Sequence, residues 1–135
     1  MSRIVEEVTE KSASTTLTAS GSARWLAPEL IEGAITSPTK EADTYSYAMA
    51  VLELLTGKHP FSHRRHDASV IHDVVVLKCT PPRPRESDVL GLLTDDLWKL
   101  LEKCWLVDPI SRPSMNRVSG YMLEFERTKH SLSGY

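Results

Sequence analysis

The chain has 135 residues, 41% of them hydrophobic and 25% charged, with a formal net charge of −2. That size and composition suit one small globular domain with its own core. They exclude the strongly basic footprint of a nucleic-acid binder. They also exclude a helical membrane span, because the longest apolar run, AMAVLELL, is too short and carries Glu53.

The N-terminal stretch MSRIVEEVTEKSAS has no apolar core of the signal-peptide kind, so a cytoplasmic or nuclear protein is expected. Residues 9–22, TEKSASTTLTASGS, are rich in Ser and Thr and poor in apolar side chains. Burial there cannot offset the entropy of ordering, and a flexible segment over 1–20 is expected. Pro28 then suits the first turn of a helix, where its missing N–H has no partner to lose. This short helix, PELIEG, closes at Gly33.

The next helix is expected from about Lys40 to Thr56, closed by Gly57. From Tyr45 to Leu55 it is apolar nearly all round, apart from Ser46 and Glu53. A helix of that kind in a water-soluble domain is a central one, contacted on every side. After the break at His59-Pro60-Phe61, a helix over about Ala68–Lys78 competes with a strand, since Val70, Ile71, Val74 and Val75 are β-branched. PPRPRES, residues 81–87, reads as a surface loop. Thr94 with Asp95 and Asp96 behind it is a helix start. The helix that follows places Leu97, Leu101 and Cys104 on one face, beside Trp98 and Trp105. VDPISRP is a turn. The last helix, about Ser114–Lys129, carries Met115, Val118, Met122 and Phe125 at helical spacing, and the tail 130–135 is expected to fray. The fold class is mostly α.

Two local clusters test for other chemistry. Lys58, His59, His63, Arg64, Arg65 and His66 form a short basic stretch that a solvated loop explains. His59, His63 and His66 have ligand-like spacing, but they begin beside a helix-breaking Pro and no second cluster supports them. No metal site is assigned. Cys79 and Cys104 form no CxxC pair and are expected to be buried or half-buried thiols.

Three motifs occur in order: Gly21-Ser22 before Ala27-Pro28-Glu29; Asp43-Thr44-Tyr45-Ser46 opening a helix that ends Leu54-Leu55-Thr56-Gly57 before Pro60-Phe61; and Cys104-Trp105, Asp108-Pro109 and Arg112-Pro113. Together they resemble the C-terminal helical lobe of a eukaryotic-type protein kinase over about residues 2–127. The W-x-x-D-P-x-x-R-P form is similar to the tyrosine-kinase-like branch. The resemblance implies a partial kinase domain over 21–129, preceded by an activation-loop-like segment over 1–20. It implies a structural ion pair between Glu29 and Arg112. Asp43 would anchor the start of the central helix and hold the backbone of the catalytic loop. Gly21, Ser22, Trp25 and Leu26 would form the substrate side of the activation segment, with Trp25 and Leu26 lining the surface that meets the substrate chain. The hydroxyl of Ser22 points to Ser/Thr specificity. Ser12, Ser14, Thr15, Thr16, Thr18 and Ser20 would be candidate phosphorylation positions. One departure is Ala48, where the family usually has Gly; Ala favours a helix by about 1 kcal/mol over Gly.

Kinase chemistry needs more than these motifs. The sequence has no Gly-rich phosphate loop with its strand Lys, no H-R-D-x-x-x-x-N loop and no D-F-G metal ligand. Met1-Ser2-Arg3-Ile4 is similar to the residues that follow the family's D-F-G step. No catalytic residue and no cofactor is therefore assigned to this chain, while ATP and Mg²⁺ are implied for the full-length domain. The expectation is a truncated kinase fragment, inactive alone. The alternative is a non-catalytic binding module. Its partners would be a protein substrate, or a partner protein covering the central helix, whose usual neighbours in the family precede the catalytic loop.

Overall fold

A computed structural model describes residues 23–33, 37–85 and 91–133. Those residues form helices and no strand. The elements are α1 (Pro28–Ile31), α2 (Lys40–Thr56), α3 (Asp67–Val75), α4 (Asp95–Cys104), a 3₁₀ turn (Pro109–Ser111) and α5 (Met115–Ser133).

Local chemistry accounts for most boundaries. Pro28 occupies the first turn of α1. Gly57 ends α2 with φ of 71°, in the left-handed region that a Cβ disfavours, and its N–H donates to the Glu53 carbonyl. Thr94 caps α4 by accepting from the Leu97 N–H. The 3₁₀ turn is pinned by Asp108, whose carboxylate accepts from the Ile110 N–H and the Ser111 hydroxyl. The 68–78 stretch is helix over Asp67–Val75, so its β-branched residues did not dictate a strand. Val70 and Val74, one turn apart, are the apolar residues it buries.

The core gathers around α2. Every residue from Thr44 to Leu52 is buried, with α4 and the 3₁₀ turn packed against the helix. Leu97, Leu101, Cys104 and Trp105 from α4 and Val118 and Met122 from α5 complete the cluster, together with Trp25, Phe61 and Leu93. Met115 and Phe125 pack at its margin. The chain buries Thr44–Leu52 of the central helix itself, while Leu54 near its end stays 52% exposed.

Three further expectations are corrected. The α2 cap is Thr39, which accepts from the Ala42 N–H, whereas Asp43 sits within the first turn of the helix. Cys79 is exposed, because α3 ends at Val75 and the chain turns outward through Lys78 at φ of 58°. Cys104 is buried as expected, and burial pushes its thiol up to about 12. The last helix runs to Ser133, past its expected end at about Lys129.

Candidate functional site

Residues 23–29 enter the fold as a tight turn running into α1. The Leu26 N–H donates to the Ala23 carbonyl, and Ala27 begins the helix without a side-chain cap. Ala23, Trp25, Leu26 and Ala27 are all buried. Trp25 and Leu26 each keep only 7% exposure. The Trp25 indole N–H donates to Glu53 Oε1 at 3.0 Å, and its carbonyl accepts from the Ser46 hydroxyl at 2.8 Å. Both partners lie on α2, so the turn is fastened to the central helix at two points. Gly21, Ser22 and the hydroxyl residues Ser12, Ser14, Thr15, Thr16, Thr18 and Ser20 lie outside the described residues.

Glu29 and Arg112 meet beneath this turn. Arg112 Nη1 and Nη2 donate to the two Glu29 carboxylate oxygens at 2.7 and 2.9 Å. The Arg112 side chain is 0% exposed and that of Glu29 10%. The guanidinium also donates to the Leu106 carbonyl at 2.8 Å and the Glu41 carbonyl at 3.0 Å. It lies over the Tyr45 ring, 5.1 Å from the centroid. A planar fork can serve a carboxylate and two carbonyls together, which an ammonium cannot. One side chain thus joins α1, the start of α2 and the chain entering the 3₁₀ turn. Burial pushes the Tyr45 phenol above its ordinary range, with the nearby Arg112 charge acting the other way.

Sequence reasoning missed a second arginine. Arg24 is 8% exposed and pairs with Asp67 at 2.8 Å. Its Nη1 donates to the Pro60 and Phe61 carbonyls at 3.2 and 2.8 Å, and its Nη2 to the Arg64 carbonyl at 2.9 Å. Phe61 has φ of 57°, a strained conformation for a bulky residue. Arg24 and the burial of the Phe61 ring hold that turn in place. Arg64 in turn forks onto the buried Asp73 of α3 at 2.7 and 3.2 Å. An Arg directly before a buried Trp is the only sequence cue to this clamp; its partners lie far along the chain.

Asp43 lies in the first turn of α2, half-buried, on the wall of an open cleft of about 540 Å³ shared with Thr44, Pro113 and Met115. Burial raises its carboxyl above the usual range. Among the described residues no group of three His, Cys, Asp or Glu could hold a metal ion, and no helix is long and apolar enough to cross a membrane. The site is a rigid, buried scaffold that presents a short segment of backbone.

The scaffold has known counterparts. The family model described as protein kinase domain matches residues 4–122. The chain belongs to the protein kinase domain family. It is 35% identical over 100 residues to the dual specificity protein kinase shkC of Dictyostelium discoideum, covering 74% of this chain and 18% of that protein. It is 35% identical over 123 residues to the serine/threonine-protein kinase STY17 of Arabidopsis thaliana, covering 85% and 20%. Against the human mitogen-activated protein kinase kinase kinase 10 the identity is 34% over 105 residues, covering 77% and 10%. The chain thus spans a fifth or less of the length of these relatives.

Proposed function

We propose that this chain supplies the substrate-side half of a Ser/Thr-type protein kinase catalytic domain. In that reading it positions a protein substrate, and the transfer of phosphate from ATP depends on groups this sequence does not contain. The observation that carries the proposal is the buried Glu29–Arg112 fork under the turn at 23–28. An ion pair of this depth fixes backbone geometry, and fixed geometry is what a peptide-positioning surface needs. The Ser/Thr assignment is supported by the likeness to the serine/threonine-protein kinase STY17 and by Ser22 in the sequence.

Asp43 has a role in the same reading. Its half-buried carboxyl borders the 540 Å³ cleft, where it would accept hydrogen bonds from the backbone of a catalytic loop. ATP and Mg²⁺ would be held by that loop and its neighbours. The sequence has no Gly-rich phosphate loop, and among the described residues no group of three His, Cys, Asp or Glu could hold a metal ion. A carboxylate that positions backbone cannot replace the missing base and metal ligands, so the 135-residue chain is expected to transfer no phosphate by itself.

The binding-module alternative rests on an uncovered central helix; Thr44–Leu52 of α2 is buried, while Leu54 near its end is 52% exposed. Two measurements test the main reading. Radiolabelled ATP with the purified chain and a generic protein substrate should give no incorporation above a mock purification. A chimera that joins residues 21–129 to the ATP lobe and catalytic loop of a relative should phosphorylate Ser and Thr peptides, and Glu29→Gln should reduce that activity. A chimera that folds and binds ATP but phosphorylates no peptide overturns the proposal.

A further inference from the structure

Two basic segments well separated in the chain meet across one cleft. The loop between α2 and α3 contributes Lys58, His59 and His63, and the extended stretch after α3 contributes Arg83 and Arg85. The cleft encloses about 210 Å³, and no carboxylate is among its described lining residues. Its floor is apolar, made by the buried Leu52, Phe61 and Pro81. Two neighbouring carboxylates each pair with one of the lining cations, which leaves the rim cations His63 and Arg85 as the groups open to a ligand. Glu53 holds the Trp25 indole and lies 3.6 Å from His59, and Asp95 takes Arg83 at 2.7 Å. Arg83 is further fixed over the Trp98 ring, 5.9 Å from its centroid. His63 and Arg85 are exposed on the rim.

A cationic rim over an apolar floor fits a phosphorylated side chain. Arginine and histidine donate charge-assisted hydrogen bonds to phosphate oxygens. The stem of a phosphoserine or phosphothreonine would lie on Phe61 and Pro81. Inorganic phosphate makes no use of such a floor. A nucleic acid needs a longer track of positive charge than this net-negative chain offers.

The cleft also adjoins the substrate-side segment. Arg24 is bonded to the carbonyls of Pro60 and Phe61 in the same loop, and the Trp25 ring meets His59 edge-on at 5.4 Å. We propose that the cleft binds a phosphoserine or phosphothreonine, so that the favoured protein substrate is one already phosphorylated elsewhere along its chain. The word substrate rests on the kinase reading; the binding itself does not.

The test is equilibrium binding to the whole 135-residue chain, so it reads no phosphate transfer. Fluorescence anisotropy would follow a short neutral peptide carrying one phosphoserine, beside its unphosphorylated form. The phosphopeptide should bind at least about tenfold tighter, and increasing salt should weaken it. Arg85→Ala and His63→Ala should each remove much of that preference. Arg65→Ala, an exposed basic neighbour outside the cleft, should leave it unchanged. Equal binding of the two peptides, or an equal loss in Arg65→Ala, overturns the proposal. So does inorganic phosphate or a single-stranded oligonucleotide that binds as tightly as the phosphopeptide. A failed chimera with intact phosphopeptide preference would instead count against the catalytic reading alone.

Discussion

Replacing Arg112 by Ala removes four contacts at once. The Glu29 carboxylate, with 10% exposure, loses its partner; the Leu106 and Glu41 carbonyls lose a donor; and the Tyr45 ring loses the cation above it. An exposed ion pair contributes at most about 1 kcal/mol, whereas stranding a buried charge costs about 3–5 kcal/mol. For a chain of this length each kcal/mol shifts Tm by about 3–5 °C, so Arg112→Ala should lower it by about 9–25 °C. Thermal and urea unfolding followed by circular dichroism would measure this, with the urea slope unchanged if the native state stays compact. A double-mutant cycle isolates the pair. Glu29→Met with Arg112→Met should cost clearly less than the two single changes added together, because the double change leaves neither charge buried alone. A Tm drop of only a few degrees for Arg112→Ala, with additive single effects, would show that the pair is not buried as described.

Arg24→Ala should destabilise by about 2–3 kcal/mol, since three carbonyls and Asp67 lose their donor. Arg24→Lys should recover little of this, because one ammonium cannot span acceptors on both sides of the loop. Urea titration reads both. Thr94→Ala should cost about 1 kcal/mol, the worth of an N-cap, by the same measurement. At pH 8 a thiol reagent should label Cys79 in the folded chain and Cys104 only on unfolding. Because the Cys104 thiol is raised from 9.0 to about 12, the unfolded state loses its proton first. Its contribution is therefore fully present below about pH 9 and is lost as pH rises towards 12, and Cys104→Ala should flatten that part of a stability–pH curve. The raised Asp43 carboxyl has the same sign. As pH falls from neutral through its raised value, the native chain should gain stability relative to Asp43→Asn, and the gain should level off below about 3.8.

The helices of this chain were legible in its sequence because their causes are local. Pro28 at a first turn, Gly57 in the left-handed region and Thr94 at a cap each act within a few residues. The apolar spacing along 115–125 likewise needs only the pitch of a helix. The all-round apolar run in α2 announced a central helix for the same reason. Family membership was legible too, because the motifs keep their order and spacing. Choosing Thr39 over Asp43 as the α2 cap was harder, since two side chains suited to capping stand within one turn of each other. Trp25, Arg24 and Glu53 were not legible as one assembly, because their bonds reach across the fold. The meeting of Lys58, His59 and His63 with Arg83 and Arg85 was hidden in the same way. Each basic run alone is an ordinary solvated loop. Only the packing of the chain after α3 against the α2–α3 loop puts both on one cleft, because long-range charge placement is set by how helices assemble and by no local period.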